Sequence, residues 1–211
     1  MEITWLGHSS FLIEDSKGRK VLTDPFDKSV GYDIFEGSAD LVTISHHHFD
    51  HCYIKNLSKD IPVVDKSGFF NFCDIPLTGF SSYHDKMKGA KRGENVIFVF
   101  EMDGYRVCHL GDLGYVLSQN EIEELGRIDV LMIPVGGNFT IDGKEAAELS
   151  KALKSHIIIP MHYKTPDLKF PLEGLEDFLI NMNNGEKIKN IKLSINGKLK
   201  EYNQVKILDY K

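Results

Sequence analysis

Residues 45–51 read Ser-His-His-His-Phe-Asp-His, four histidines and an aspartate within seven positions. Imidazole nitrogens and a carboxylate are the ligand set that suits zinc, manganese, iron or nickel. The preceding Leu-Val-Thr-Ile-Ser has the apolar character of a strand. Alternation along an extended backbone puts His46 and His48 on one side and His47 on the other. A turn after that strand, leading into a helix near Tyr-Ile-Lys-Asn-Leu-Ser-Lys at 53–59, brings Asp50 and His51 back to the same pocket. The selected donors are therefore His46, His48, Asp50 and His51, with His47 left to packing or to outer support. Four ligands from so short a stretch wrap one ion poorly and make better sense divided between two.

Two ions need more donors, and later strand ends supply them. His84 closes Pro-Leu-Thr-Gly-Phe-Ser-Ser-Tyr-His, Asp112 sits in His-Leu-Gly-Asp-Leu-Gly, and His162 sits in Ile-Ile-Ile-Pro-Met-His-Tyr. Taken singly, a strand-end histidine is more often structural. Together with the early cluster, the three converge at one edge of a sheet.

The elements that must position these groups are mostly strands. Short apolar or alternating segments recur at 3–7, 10–15, 20–25, 41–45, 61–65 and 76–84. Residues 95–112 hold two apolar runs around Asp103-Gly104, a hairpin signal. Residues 129–135 and 156–163 read as buried strands. A helix is expected from about 144 to 154, with Asp142 and Glu145 spaced as a capping box. A second is expected over 172–182, and the tail returns to strand around Asn196-Gly197. Many strands with late helices predict a layered α/β fold.

Bulk properties narrow the class. The 211 residues fit one domain, 1–211, built from two similar αβ halves. A net charge of −6 disfavours nucleic acid as a partner. No apolar run approaches the roughly 18 residues of a membrane span. The opening Met-Glu-Ile-Thr-Trp alternates like a strand rather than a signal peptide. Cys52, Cys73 and Cys108, three and widely spaced, fit a reducing cytoplasm.

The His-x-His-x-Asp-His motif, followed by separate His, Asp and His at strand ends, resembles the metallo-β-lactamase superfamily. Trp-Leu-Gly-His-Ser-Ser-Phe-Leu-Ile-Glu at 5–14, Thr-Asp-Pro-Phe at 23–26 and the segments around Asp112 and His162 are similar to one branch. That branch holds the ascorbate-6-phosphate lactonase-like proteins and other zinc-dependent hydrolases. The resemblance implies an αββα four-layer sandwich, two mixed β-sheets flanked by helices. It also implies a cofactor of two divalent ions, zinc first, with manganese, iron or nickel as alternatives. One ion takes His46, His48 and His84, the other Asp50, His51 and His162, and Asp112 bridges them.

The chemistry that follows is hydrolysis of an ester, lactone or phosphoester bond of a small, anionic molecule by a metal-bound hydroxide, with Asp50 orienting it. Two other functions compete: a phosphodiesterase or phospholipase-D-like hydrolase of nucleotide or lipid phosphates, and a metal-binding scaffold without turnover. Asp112 stands where many antibiotic-degrading members carry cysteine, and no basic RNA-gripping arm is inserted, which disfavours both of those activities. His8, in Gly-His-Ser-Ser, is a candidate for contact with substrate or metal, or for a plain strand-turn bond. Asp24 is a candidate outer partner of a ligating histidine, and His109 a supporting or core residue. An oligomer is compatible with all of this.

Overall fold

The computed structural model describes residues 1–210. In chain order the elements are β1 (Glu2–Gly7), β2 (Ser10–Glu14), β3 (Lys20–Thr23), β4 (Leu41–Thr43), β5 (Val63–Val64), β6 (Gly68–Phe72), β7 (Ile75–Tyr83), β8 (Glu94–Met102) and β9 (Tyr105–His109). There follow α1 (Gln119–Leu125), β10 (Val130–Pro134), α2 (Gly143–Leu153), β11 (Ile157–Met161), α3 (Glu176–Met182), β12 (Glu186–Lys187), β13 (Lys192–Ser194) and β14 (Gln204–Ile207).

The strands form two sheets. One has six strands in the order β13-β1-β2-β3-β4-β5, the other eight in the order β12-β14-β11-β10-β9-β8-β7-β6. Both are mixed: antiparallel hairpins at one end give way to parallel pairs, β3 with β4 in the first sheet and β9, β10, β11 and β14 in the second. This is the sandwich of two mixed sheets that the resemblance implies.

Period-two alternation builds the first sheet. Ile3, Trp5, Phe11, Ile13, Val21 and Leu41 face the main core between the sheets. Their neighbours Leu6, Leu12, Leu22 and Val42 face the other way, into a second cluster with Ala39 and Ile44. Leu57 and Ile61, from irregular segments, cover that outer face. The second sheet is buried on both faces at its centre, where every residue of β10 and β11 is buried. Against it packs α2, whose Ala146, Leu149 and Leu153 lie on one helical stripe within the main core.

Several local expectations need correction. No helix forms at 53–59; Leu57 N–H bonds Ile54 C=O in a turn. The segment is too short to propagate a helix, and its apolar residues pack outward as loop. The second expected helix begins at Glu176 rather than 172, because Leu172 is buried instead with Phe26, Val30, Tyr32 and Leu168. The expectations omit α1, although Ser118 and Glu121 form a full capping box at its start. They also omit β6, an edge strand joined to β7 through left-handed Cys73 and Asp74. The tail strands divide: β13 pairs with β1 and β14 with β11, so the Asn196-Gly197 turn carries the chain from one sheet to the other. No described helix is long and apolar enough to cross a membrane.

Candidate metal centre

Strand ends from both sheets converge on one spot. The first sheet delivers His8 after β1, Asp24 after β3, and His46, His48, Asp50 and His51 after β4. The second delivers His84 after β7, Asp112 after β9 and His162 after β11. Ligand sites in open α/β sheets favour such carboxyl ends of strands. Two backbone bonds stitch the edges together: His162 N–H to His8 C=O at 3.1 Å and Val96 N–H to Ser45 C=O at 2.8 Å. His8, Asp24 and His162 all have positive φ, 52°, 40° and 51°. A non-glycine residue adopts that region only where its surroundings hold it there.

Asp112 is the hub. Its Oδ2 lies 3.3 Å from His51 Nε2, 3.3 Å from His84 Nε2, 3.1 Å from His162 Nε2 and 4.0 Å from His46 Nε2. The donor atoms fall into groups of compact span. His46, His48 and His84 each offer an atom within 4.8 Å of one another, and so do His8, His51 and His162. The first group brings together the three residues expected to hold one ion. In the second, His8 stands beside His51 and His162, with the expected Asp50 next to it: Asp50 Oδ2 is 3.1 Å from His8 Nε2 and 3.6 Å from His51 Nε2. His47 turns away from the cluster to the surface, where it meets Asp65 at 3.1 Å rather than packing inward.

These groups fit divalent cations. His46 Nε2 and His51 Nε2 are buried yet lack a hydrogen-bond partner, a costly state for a polar atom unless something else binds it. The outer partners are also in place. Asp24, buried beneath the cluster, accepts from His51 Nδ1 at 2.9 Å and from Ser45 N–H and Oγ–H at 2.7 and 2.6 Å. The bond to Nδ1 leaves His51 Nε2 free to ligate. His109 is not among the donors: its Nε2–H donates to Ser9 C=O at 2.7 Å and its Nδ1 accepts from Gly111 N–H at 3.2 Å. It braces the loop that carries Asp112.

Two positioning residues go unnoticed in the sequence. Asn95, buried on β8, accepts from Asp112 N–H through Oδ1 and donates to Leu110 C=O through Nδ2. Its amide approaches Gly111 so closely that a Cβ there would lie 2.4 Å from Oδ1, and Gly111 φ is +57°. Asp85 follows His84 and accepts four backbone N–H bonds, from Met87, Gly89, Lys91 and Arg92, at 2.7–3.1 Å. An Asx-type fold of this kind is not announced by any motif.

The charges respond to this packing. Burial opposes a charge on His51, but Asp112 and Asp24 outweigh it and raise the imidazole pKa well above its ordinary 6.5. Burial likewise opposes ionisation of Asp112, and His162 and His51 overcome it. His8, fully buried beside His162, is pushed down to about 4. Burial acts against the Asp50 charge, yet the bond from His8 and the nearby His51 hold its carboxyl far below the usual range.

Above the cluster opens a cleft of about 260 Å³, walled by Phe49, Phe139 and Phe170, with Arg92 at its side. A larger surface hollow of about 750 Å³ lies elsewhere. There Arg127 pairs with Asp129 and His156 Nδ1 bonds Glu201 C=O, and the hollow holds none of the converging donors.

Comparison with known proteins agrees with this geometry. Residues 2–162 match the beta-lactamase superfamily domain. The chain is 32% identical over 212 residues to a UPF0173 metal-dependent hydrolase of Archaeoglobus fulgidus, covering 84% of this chain and 89% of that one. It is 30% identical over 199 residues to a UPF0173 metal-dependent hydrolase of Carboxydothermus hydrogenoformans, covering 78% and 85%. Among solved structures, a Thermotoga maritima protein described as a Zn-dependent hydrolase of the metallo-beta-lactamase superfamily superposes with a TM-score of 0.83. It is 40% identical, over 98% of this chain and 97% of that one.

Proposed function

The chain belongs to the beta-lactamase superfamily, among its metal-dependent hydrolases, and from that premise we propose that it hydrolyses an ester, lactone or phosphoester bond of a small molecule with two divalent cations, zinc first. The observation that carries this reading is the single Asp112 oxygen set among four imidazole nitrogens at 3.1–4.0 Å. His46, His48 and His84 would hold one cation, and Asp50, His51 and His162 the other, with Asp112 shared and His8 supporting Asp50.

When bound, such cations polarise a substrate oxygen and lower the pKa of a bound water from about 15.7 towards 7. The chain's own residues do the rest. Asp50, held by His8 Nε2 at 3.1 Å, orients the attacking water. Phe49, Phe139 and Phe170 line the cleft with apolar rings. No side chain supplies a nucleophile: Ser45 Oγ is bound to Asp24, Ser9 Oγ donates to Asp112, and burial pushes the Cys52 thiol up.

The test is a panel of aryl esters, lactones and phosphodiesters on protein reconstituted with zinc or manganese, alongside Asp112→Ala. Turnover of at least one class is expected from the wild type. The variant is expected to lose both activity, by about a hundredfold or more, and bound metal by elemental analysis. Retention of two tightly bound ions by Asp112→Ala overturns the bridging role, and no turnover at full occupancy overturns the hydrolase reading.

A further inference from the structure

We propose that Arg92 is the specificity-determining residue of this cleft and that the substrate is a compact molecule joining an anionic group, carboxylate or phosphate, to an apolar or aromatic body. The inference rests on the hydrolase reading for the word substrate, but the binding site it describes stands on its own geometry.

Arg92 is unlike the other arginines of the chain. Arg19 pairs with Asp15, Arg106 with Glu101 and Arg127 with Asp129. Among the described residues no carboxylate comes within 4.0 Å of the Arg92 guanidinium; it lies 4.5 Å over the Phe139 ring and reaches only the Asn138 carbonyl, at 3.5 Å. The two acids of the cleft are already engaged, Asp50 by His8 and Asp112 by the imidazoles around it. Two lysines near it are committed elsewhere, Lys86 to Glu145 and Lys164 to the carbonyls of Leu168 and Phe170. Among the described residues, Arg92 is the one arginine or lysine lining the cleft. A guanidinium stacked on an aromatic face keeps its planar fork of donors fixed, which suits bidentate recognition of a carboxylate or phosphate.

Its placement is built. The Asp85 carboxylate gathers the loop from Met87 to Arg92 through four backbone bonds and ends on Arg92 N–H itself. That loop departs from His84, a member of the donor cluster, so the guanidinium and the cluster share one support. The apolar half of the ligand is read from Phe49. It stands between His48 and Asp50, is 59% exposed, and meets Phe170 edge-on at 6.0 Å. With Arg92 stacked on Phe139, the walls are aromatic and one side is cationic. The cleft, about 260 Å³, is smaller than the roughly 300–1,000 Å³ typical of drug-sized ligands, hence a compact substrate.

The experiment measures binding by calorimetry to zinc-loaded protein of three probes with one ring: phenylphosphonate, phenylacetate and the neutral phenylacetamide. Wild type is expected to bind an anion more tightly than the amide, and whichever anion is tighter names the group. Arg92→Gln is expected to weaken the anions by about tenfold or more while leaving the amide unchanged, and Arg92→Lys, which keeps charge but not the fork, to fall between. Zinc content and melting temperature of each variant report the fold and the metal separately, since direct phosphonate–zinc contact is common to all three proteins. Undiminished anion binding by Arg92→Gln, equal weakening of the amide, or a wild type with no preference for either anion overturns the proposal. Arg92-dependent anion binding without turnover of any ester, lactone or phosphodiester overturns the hydrolase reading alone. Turnover indifferent to substrate charge and to Arg92 overturns this proposal alone.

Discussion

Asp24 decides which nitrogen His51 offers. Its Oδ2 accepts from His51 Nδ1 at 2.9 Å and from Ser45 Oγ–H at 2.6 Å. Asp24→Asn replaces an acceptor with an amide that can present N–H to Nδ1, favouring the tautomer with its proton on Nε2, where it blocks ligation. Zinc affinity of that variant, measured by competition with a chelating dye, is expected to fall about 10–100-fold; an unchanged affinity removes Asp24 from the support of the site. Asp85 makes a different prediction, on pH. Burial opposes its charge, but the backbone N–H groups of Arg92, Lys91, Met87 and Gly89 hold its pKa below the ordinary 3.8. A carboxylate lowered on folding stabilises fully above its unfolded pKa of about 3.9 and loses that contribution as pH falls through the folded value. In metal-free protein, Asp85→Asn should therefore melt below wild type at pH 7, and the gap should narrow as the pH drops below 4. A gap that is constant with pH would show that the carboxylate's charge is irrelevant there.

The elements carry their own stops and starts. Asp142 accepts from Glu145 N–H at 2.8 Å while Glu145 Oε2 accepts from Asp142 N–H at 3.3 Å, closing the N-terminus of α2. Asp142→Ala is expected to cost about 0.5–2 kcal/mol, which for a domain of this size lowers the melting temperature by about 2–4 °C per kcal/mol. Calorimetry checks it, and because α2 packs on the second sheet away from the donors, metal content should not move. Sequence pattern located the strands well because alternation is local: Ile3 and Trp5 against Leu6, or Phe11 and Ile13 against Leu12, declare their faces without reference to the rest of the chain. It failed at 53–59 and at 172–175, where apolar residues with helical spacing serve loop packing, as Leu57 and Leu172 do. The capping signal Ser-Gln-Asn-Glu at 118–121 was present in the sequence, yet α1 went unrecognised there.

The two sheets meet at the cluster, and a cation held there would tie them together. His46, His48, Asp50 and His51 belong to the edge of the first sheet; His84, Asp112 and His162 belong to the second. Metal binding to the folded state alone contributes about 2.7 kcal/mol when free metal is a hundred times Kd, or a rise of about 5–10 °C in melting temperature. A thermal scan with zinc, then with a chelator, should show that rise and its reversal. An identical melting curve in both conditions would mean that the donors do not close on an ion.

By itself the amino-acid sequence determined the inventory: the donor residues, their positions at strand ends, and the separation of His47 from His46 and His48. Those follow from side-chain chemistry and from a two-residue period that any strand obeys. Only the tertiary structure decided who meets whom. That one oxygen of Asp112 faces four imidazoles, that His8 holds Asp50, and that His109 turns to Ser9 instead depends on register between distant strands and on left-handed residues at 8, 24 and 162. Arg92 is the clearest case, since lacking an acid partner is a property of everything around it, and local pattern carries no information about distances across two sheets.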